Sequence, residues 1–171
     1  MITAIAPLGN HDRAAFSCGV TALDDWFRFR AGQDEKRNIA RVFVAIDDRH
    51  GIVGFTSLSS FTLAIADLPP EHAKRLPRYD AIPAALIGRL ARDDRVRGEG
   101  VGDLLLADAV RRVLGAADSL AVFAIVVEAK DDKAAAFYRD FGFEPFPNRP
   151  LRLFMTASAA AAAISKALSR S

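Results

Sequence analysis

The sequence predicts a single-domain α/β fold, with a mixed central sheet of about six to seven strands flanked by helices. In the second half of the chain, apolar runs of strand length alternate with segments of helical period, in the order β-α-β-α-β. The run from Ala121 to Val127 is almost wholly apolar, which is typical of a strand covered on both faces. A length of 171 residues fits one domain spanning residues 1–171.

The first half of the chain predicts the order β-α-β-β. Met1 to Leu8 is the first strand. The segment from Thr21 to Asp24 has the pattern of a capping box with Asp in place of Glu, and it opens a helix. The apolar face of that helix consists of Leu23, Trp26, Phe27 and Ala31. Two β-rich runs, Arg41 to Ile46 and Ile52 to Leu63, flank a turn and predict an antiparallel hairpin.

The second half begins with a proline-rich segment, Asp67 to Ile82, which predicts irregular or short helical structure. Strands are then predicted over Ala84 to Ala91, Ala121 to Val127, Phe143 to Phe146 and Leu151 to Met155. Helices are predicted over Val101 to Leu114, Asp131 to Phe141 and Ser158 to Leu168. Gly142 stands where a glycine commonly ends a helix.

The composition excludes several classes of protein. Hydrophobic residues make up 51% of the chain and the formal net charge is +2, as in an ordinary globular protein. Cys18 is the only cysteine, which excludes an internal disulfide and favours a reducing compartment, so a cytoplasmic location is expected. The histidines lack metal-ligand spacing, and no metal site is expected. No signal peptide or bilayer-length apolar run is found, so no membrane partner is expected.

The hexapeptide from Arg97 to Gly102 is the most informative segment, because it places three glycines at alternate positions between a predicted strand and a predicted helix. Glycine has no Cβ, so the backbone N–H groups of such a loop can approach a ligand closely. The helix that follows offers unpaired N–H groups and the positive end of its dipole. The segment therefore predicts a binding site for a phosphate or pyrophosphate group.

Three phosphate ligands compete for this loop. A Walker A loop needs Gly-Lys-Ser/Thr, but Asp103 and Leu104 follow Gly102, so a nucleoside triphosphate is set aside. A Rossmann site places its first glycine almost directly after the strand, whereas the charged segment 92–97 intervenes here. Glu128, where a ribose-binding acid would stand, is interpreted instead as a strand-end acid or a substrate-side group. The third ligand is coenzyme A.

The loop resembles that of the GNAT acyltransferase superfamily. Its pyrophosphate-loop signature is Gln/Arg-x-x-Gly-x-Gly/Ala, and residues Arg97 to Gly102 match it fully. A second block, Ala134 to Phe143, is similar to the family's A-x-x-F-Y-x-x-x-G-F pattern and stands at the right distance. Asp131 and Asp103 depart from the residues that are common at their positions in the family. The resemblance implies a GNAT fold that uses acetyl-CoA.

The N-terminal half resembles a narrower group, the GNAT toxins of toxin–antitoxin modules. Residues Phe16 to Phe27 are similar to the opening F-x-C-G-x-x-x-L-D-x-W-L of that group, and Gly88 to Ala91 and the tail Phe146 to Met155 resemble it as well. The resemblance implies a toxin that acetylates the α-amino group of aminoacyl-tRNA and blocks translation. It also implies a ribbon-helix-helix antitoxin as partner, and a homodimer is common in such families.

The resemblance also assigns roles to residues. Tyr138 would be the general acid that protonates the leaving thiolate, although it shares a helix face with apolar residues and a core role is the alternative. The acetyl-CoA site would comprise Leu90, Ala91, Arg92, Arg97, Gly98, Gly100, Val101, Gly102, Asp103 and Phe137. Within it, the amides of the helix start would hold the pyrophosphate, and Leu90 and Ala91 would offer backbone groups to the pantetheine and thioester carbonyl.

The nucleic-acid part of the interpretation rests on basic side chains. The candidate tRNA-binding residues are Arg28, Arg30, Lys36, Arg37 and Arg89. A solvated surface is the alternative for the first four, and a salt-bridged structural role is the alternative for Arg89. Two other functions stay open at this point: a GNAT enzyme that acetylates a small amine or a protein N-terminus, and a non-catalytic CoA-binding module.

Overall fold

The computed structural model describes residues 1–169, with side chains through residue 166, and within that range it contains seven strands and six helices. The strands are β1 (Ile2–Pro7), β2 (Arg41–Asp47), β3 (Gly51–Ala64), β4 (Ala81–Arg92), β5 (Ala124–Glu128), β6 (Glu144–Phe146) and β7 (Arg149–Thr156). The helices are α1 (Thr21–Phe29), α2 (Ala31–Lys36), α3 (Pro70–Ala73), α4 (Val101–Ala116), α5 (Asp132–Phe141) and α6 (Ala157–Ser169).

The strands form one mixed sheet in the order β1-β2-β3-β4-β5-β7-β6. The predicted hairpin is confirmed, since β2 and β3 pair antiparallel with Val44 opposite Phe55. The pair β5 and β7 is also antiparallel, with Val126 opposite Phe154. The α/β class and the number of strands are therefore as the sequence predicts.

The chain divides into two compact units, residues 1–59 with 87–109 and residues 60–86 with 110–171. The first unit holds a core of aromatic rings from the N-terminal segment, α1 and β3. Phe27 stacks on Phe55 with ring centroids 4.2 Å apart, and Phe16 meets both rings edge-on. These three rings are at most 1% exposed, so α1 is fixed by the burial of its aromatic face.

The second unit has its own apolar core on β5 and β7. Val126, Phe146 and Phe154 are buried there together with the start of β4 and the proline-rich segment. Four successive residues of β5 are buried, as expected for a strand covered on both faces. This core supports α5, which packs on β7.

The expected capping box at Thr21 is wrong. Helix α1 begins at Thr21 itself, and its N-cap residue Val20 provides no side-chain hydrogen bond. The buried Asp24 carboxylate instead accepts from the backbone N–H of Cys18 at 2.9 Å and from the Ser17 hydroxyl at 3.3 Å. Gly19, with φ +85°, makes the tight turn before the helix, and Asp24 therefore caps this turn rather than the helix end.

Two further boundaries differ from the prediction. The first helix stops at Phe29, and Ala31 belongs to a separate short helix, because Arg30 has a non-helical φ of −120°. Strand β7 begins at Arg149, two residues before the predicted start at Leu151, and therefore includes Pro150. Over residues 1–169, none of the helices has the length and apolar character needed to cross a bilayer.

Candidate active site

The glycine loop follows β4 and a single 3₁₀ turn at Asp94–Val96, and it leads directly into α4. Gly98 and Gly100 both have φ +79°, a conformation that other L-residues adopt only with strain. A Cβ at either position would meet nothing within 4 Å, so these glycines serve the turn and not a tight contact. Glu99 between them has no positive φ, and its N–H donates to the Val96 carbonyl at 3.2 Å, which closes the turn.

Helix α4 begins at Val101 with the geometry of an anion site. The N–H of Leu104 donates to the Gly100 carbonyl at 3.2 Å, which starts the helical hydrogen bonds. The amides of Val101, Gly102 and Asp103 belong to the first turn and therefore lack an intrahelical acceptor. Their N–H groups and the helix dipole suit a phosphate or pyrophosphate group.

A buried carboxylate, Asp93, holds the base of the loop. Its side chain is 2% exposed and accepts from the Ser17 N–H at 3.1 Å and from three nitrogens of Arg95, each at 2.9 Å. Its own N–H donates to the Val53 carbonyl at 2.7 Å. Burial raises the pKa of Asp93, but the hydrogen bonds from Arg95 and Ser17 outweigh it and leave the pKa below the usual value. Asp93 thus stays ionised and ties the loop to β3 and the N-terminal segment.

Helix α5 in the second unit places Tyr138 in an apolar environment. The Asp131 carboxylate caps this helix by accepting from the Ala134 N–H at 2.8 Å, and Gly142, with φ +128°, ends it. Tyr138 is 5% exposed, and its ring centroid lies 5.3 Å from that of Phe137 and 5.8 Å from that of Phe143. Burial raises the pKa of Tyr138 to about 12, so its hydroxyl keeps its proton at neutral pH.

Comparison with known proteins identifies the family. The family described as "Acetyltransferase (GNAT) domain" matches residues 38–145, which is more than half of the chain. The chain belongs to the GNAT acetyltransferase family. The match includes the glycine loop and Tyr138 and confirms the resemblance on which their roles depend.

The chain is similar to two curated relatives over nearly its whole length. It is 37% identical over 161 residues to the "Probable toxin TacT" of Sinorhizobium fredii, covering 88% of this chain and 89% of the relative. It is 40% identical over 153 residues to a "tRNA-acetylating toxin" of Mycobacterium tuberculosis, covering 90% of each chain.

Solved structures of GNAT toxins have the same fold. A tyrosine-to-phenylalanine mutant of KacT gives a TM-score of 0.87 at 27% identity, covering 95% of this chain and 99% of KacT. AtaT complexed with acetyl-methionyl-tRNAfMet gives 0.85 at 26% identity, covering 93% and 97% of the two chains. AtaTR bound with acetyl-CoA gives 0.80 at 26% identity, covering 93% and 96%.

The predicted cofactor residues of the GNAT domain occupy several environments. Ala91 is buried, Leu90 is partly buried against the core below α4, and Arg92 is half-buried at the end of β4. Arg97 is exposed and pairs with Asp94 at 3.2 Å. The loop residues Gly98, Gly100, Val101, Gly102 and Asp103 are contiguous with them in the first unit, whereas Phe137 lies on α5 in the second unit.

Of the five candidate tRNA-binding residues, two are engaged inside the first unit. A guanidinium nitrogen of Arg28 donates to the Phe16 carbonyl. The guanidinium carbon of Arg89 lies 4.0 Å from the centroid of the Trp26 ring, and the indole N–H of Trp26 donates to Asp34 at 2.9 Å. Burial lowers the pKa of Arg89, and the charge of Asp34 opposes that shift. The alternative role expected for Arg89 is that of a structural residue in a salt bridge. Arg89 instead stacks on the Trp26 ring as a cation.

The other three basic candidates face solvent. Arg30, Lys36 and Arg37 are exposed on the segment from the end of α1 to the end of α2, and none of them makes an ion pair within the described residues. Their charges are therefore available to a polyanion.

Sequence reasoning missed the polar groups that hold these elements. It treated Asp93 as part of a charged spacer and did not connect Trp26 with Asp34 and Arg89. Glu128, the other acid considered, is ion-paired with Arg152, whose Nε lies 2.8 Å from its Oε1. No group of three or more potential metal ligands occurs in the part of the chain that the structure describes.

Proposed function

We propose that this protein is a toxin that transfers the acetyl group of acetyl-CoA to the α-amino group of an aminoacyl-tRNA and thereby blocks translation. One observation carries the proposal: the chain is 40% identical, over 90% of each sequence, to a tRNA-acetylating toxin. The fold agrees with it, because AtaT, solved with acetyl-methionyl-tRNAfMet, superposes with a TM-score of 0.85.

The glycine loop is the proposed site of the acetyl-CoA pyrophosphate. The free amides of the first turn of α4 supply donors, and the open space above Gly98 and Gly100 leaves room for a ligand. Backbone groups of Leu90 and Ala91 are proposed to hold the pantetheine and to polarise the thioester carbonyl. The proposal is supported by AtaTR, which was solved with acetyl-CoA.

The proposed reaction is aminolysis of a thioester. The neutral amine attacks the thioester carbonyl, the C–N bond forms, the C–S bond breaks and the thiolate leaves. Tyr138 is proposed to give its hydroxyl proton to that thiolate. Its hydroxyl is protonated at neutral pH and therefore has a proton to donate.

An α-amino acceptor fits a site without an identified general base. The pKa of an α-amino group is near 8, whereas that of a lysine side chain is about 10.4. An appreciable fraction of the acceptor is therefore already neutral at physiological pH, and water can take the proton that the amine loses. The ion pair between Glu128 and Arg152 agrees with this assignment, because it leaves the Glu128 carboxylate occupied.

The exposed cations of the first unit are the proposed contact to tRNA. Arg30, Lys36 and Arg37 would bind phosphates and provide affinity that falls with salt, while Arg28 and Arg89 support them from within the fold. An antitoxin of the ribbon-helix-helix type, a homodimer and a cytoplasmic location complete the proposal.

The decisive experiment is an incubation with labelled acetyl-CoA and bulk charged tRNA. We expect label on the aminoacyl group, recovered as N-acetyl-aminoacyl-adenosine after nuclease digestion. Uncharged tRNA and a free peptide amine are the controls and should remain unlabelled. Label only on proteins or small amines would replace the proposal with a GNAT enzyme of another substrate class, and binding of acetyl-CoA without any transfer would indicate a non-catalytic module.

A further inference from the structure

The glycine loop carries a negative charge where the proposed ligand is also negative. Glu99 stands between Gly98 and Gly100, and its side chain is 42% exposed. A carboxylate this close to a pyrophosphate repels it, and the repulsion acts over the roughly 8–10 Å of the Debye length at physiological salt. The loop therefore needs a counter-charge if it is to bind acetyl-CoA.

Arg49 provides that counter-charge. Its Nη2 lies 2.7 Å from Oε1 of Glu99, although the two residues are 50 positions apart in the sequence. The same guanidinium donates through Nη2 to Oδ2 of Asp47 at 3.0 Å and through Nε to Oδ1 of Asp47 at 3.2 Å. One side chain thus connects the turn between β2 and β3 with the loop.

Asp47 fixes Arg49 in this position. Its carboxylate is 1% exposed and also accepts from the N–H groups of Arg49 and His50 and from the amino group of Met1. The hydrogen bonds from Arg49 keep the pKa of Asp47 well below its usual value, so the carboxylate remains charged. Asp47 is buried and Glu99 is exposed. The position of Arg49 is therefore set by Asp47, and the Glu99 carboxylate takes its position from Arg49.

We propose that Arg49 is a positioning residue for acetyl-CoA: it neutralises Glu99 and holds its carboxylate away from the pyrophosphate site. This inference rests on the proposed function of the loop. Arg49 acts through Glu99, and no contact between Arg49 and the cofactor is part of the proposal. The pair therefore improves cofactor affinity, whereas its contribution to folding is small because the Arg49 and Glu99 side chains are 49% and 42% exposed.

A double-mutant cycle tests the proposal by calorimetric titration of acetyl-CoA. Arg49→Met should weaken binding about fivefold to tenfold, because an unpaired Glu99 then faces the pyrophosphate. Glu99→Gln should bind within about twofold of the wild type, and the double variant should match Glu99→Gln. The loss in Arg49→Met should shrink as salt is raised, since screening weakens a repulsion but leaves a distorted loop unrepaired.

Arg41→Met is the matched control, because Arg41 forms a comparable exposed pair with Glu35 at 3.0 Å away from the loop. Its affinity for acetyl-CoA should equal that of the wild type, and thermal melting should report all variants as folded. A double variant as weak as Arg49→Met would overturn the proposal, because Arg49 would then act by another route. A wild type that does not bind acetyl-CoA would overturn the proposed function and this inference together.

Discussion

The base of the glycine loop and the surroundings of Tyr138 are stabilised in opposite ways. Around the loop, Asp93 and Asp47 are buried carboxylates that collect hydrogen bonds from arginines and backbone amides. Around Tyr138, the neighbours are aromatic rings and the cause of its pKa shift is burial alone. A region that is to bind an anion keeps its charged tethers ionised, while a region that is to supply a proton excludes charge. Hydrogen bonds thus favour the charged form of Asp93 and Asp47, and an apolar environment favours the neutral form of Tyr138.

The largest effect is expected from removing one oxygen atom in the apolar region. Tyr138→Phe should lower turnover by roughly 10²–10⁴-fold, the usual contribution of a positioned proton donor. Folding should be little affected, because the ring and its packing remain. The measurement is acetyl transfer to charged tRNA under saturating acetyl-CoA.

Tyr79→Phe is the matched control for this substitution, because Tyr79 is the only other tyrosine of the chain and is 67% exposed. It should leave turnover unchanged. Equal turnover in wild-type protein and folded Tyr138→Phe would show that Tyr138 is only a packing residue.

The next largest effect is expected from the buried carboxylate under the loop. Asp93→Ala should lower the free energy of unfolding by about 2–4 kcal/mol, since the donors of Ser17 and Arg95 lose their acceptor. Urea denaturation measures this loss. Asp140→Ala, at an exposed position of α5, should change stability by less than about 0.5 kcal/mol. An equal loss of unfolding free energy in Asp93→Ala and Asp140→Ala would show that the buried carboxylate under the loop stabilises the fold no more than the exposed one on α5.

The same carboxylate predicts a pH dependence. Because the pKa of Asp93 is lower in the folded protein than its ordinary value of 3.8, its stabilisation is complete above that value and is lost as the pH falls through and below it. Wild-type protein should therefore lose more stability than Asp93→Ala does as the pH falls from about 4 to about 2. Parallel pH profiles for the two proteins would argue against the assignment.

A smaller effect is expected from the loop glycines. Gly100→Ala should weaken acetyl-CoA binding about tenfold, since an L-residue at a φ of +79° costs about 1–2 kcal/mol and the loop relaxes away from its binding geometry. Gly115→Ala is the control, because Gly115 lies in α4 and a Cβ there meets nothing within 4 Å. It should keep full affinity and gain a little stability.

The smallest effect is expected in the ionisation of the Tyr138 hydroxyl, which is followed by absorbance. Tyr138 should ionise near pH 12, and the difference in near-ultraviolet absorbance between wild type and Tyr138→Phe isolates its titration. Because its pKa is raised on folding, its contribution to stability is complete below about pH 10 and is lost as the pH rises to about 12. A titration at the ordinary pKa would mean that solvent reaches the hydroxyl.

Local patterns explain why much of this molecule could be predicted. Strand β5 is apolar without interruption, α4 has clear helical periodicity, and the glycine loop combines a motif with a helix start, so sequence alone placed each of them within a few residues. The capping box at Thr21 failed because the Asp24 carboxylate instead accepts from Cys18 and Ser17, six and seven residues earlier, in a turn that the capping pattern does not describe. The pair of Arg49 and Glu99 joins positions 50 residues apart, and no local rule encodes such a contact.

Gly54 on β3 has a consequence that no motif search would reveal. A Cβ at this position would lie 2.7 Å from a methyl carbon of Leu105 and 3.2 Å from the Ala91 carbonyl oxygen. The strand that is proposed to hold the thioester and the helix that begins at the loop are thus kept in place by the absence of a single carbon atom. In a library of random substitutions, position 54 should be intolerant, because any Cβ there would have to displace Leu105 or the Ala91 carbonyl. Distant relatives should accordingly change the residues of their acceptor-binding surface far more readily than the glycine at this position.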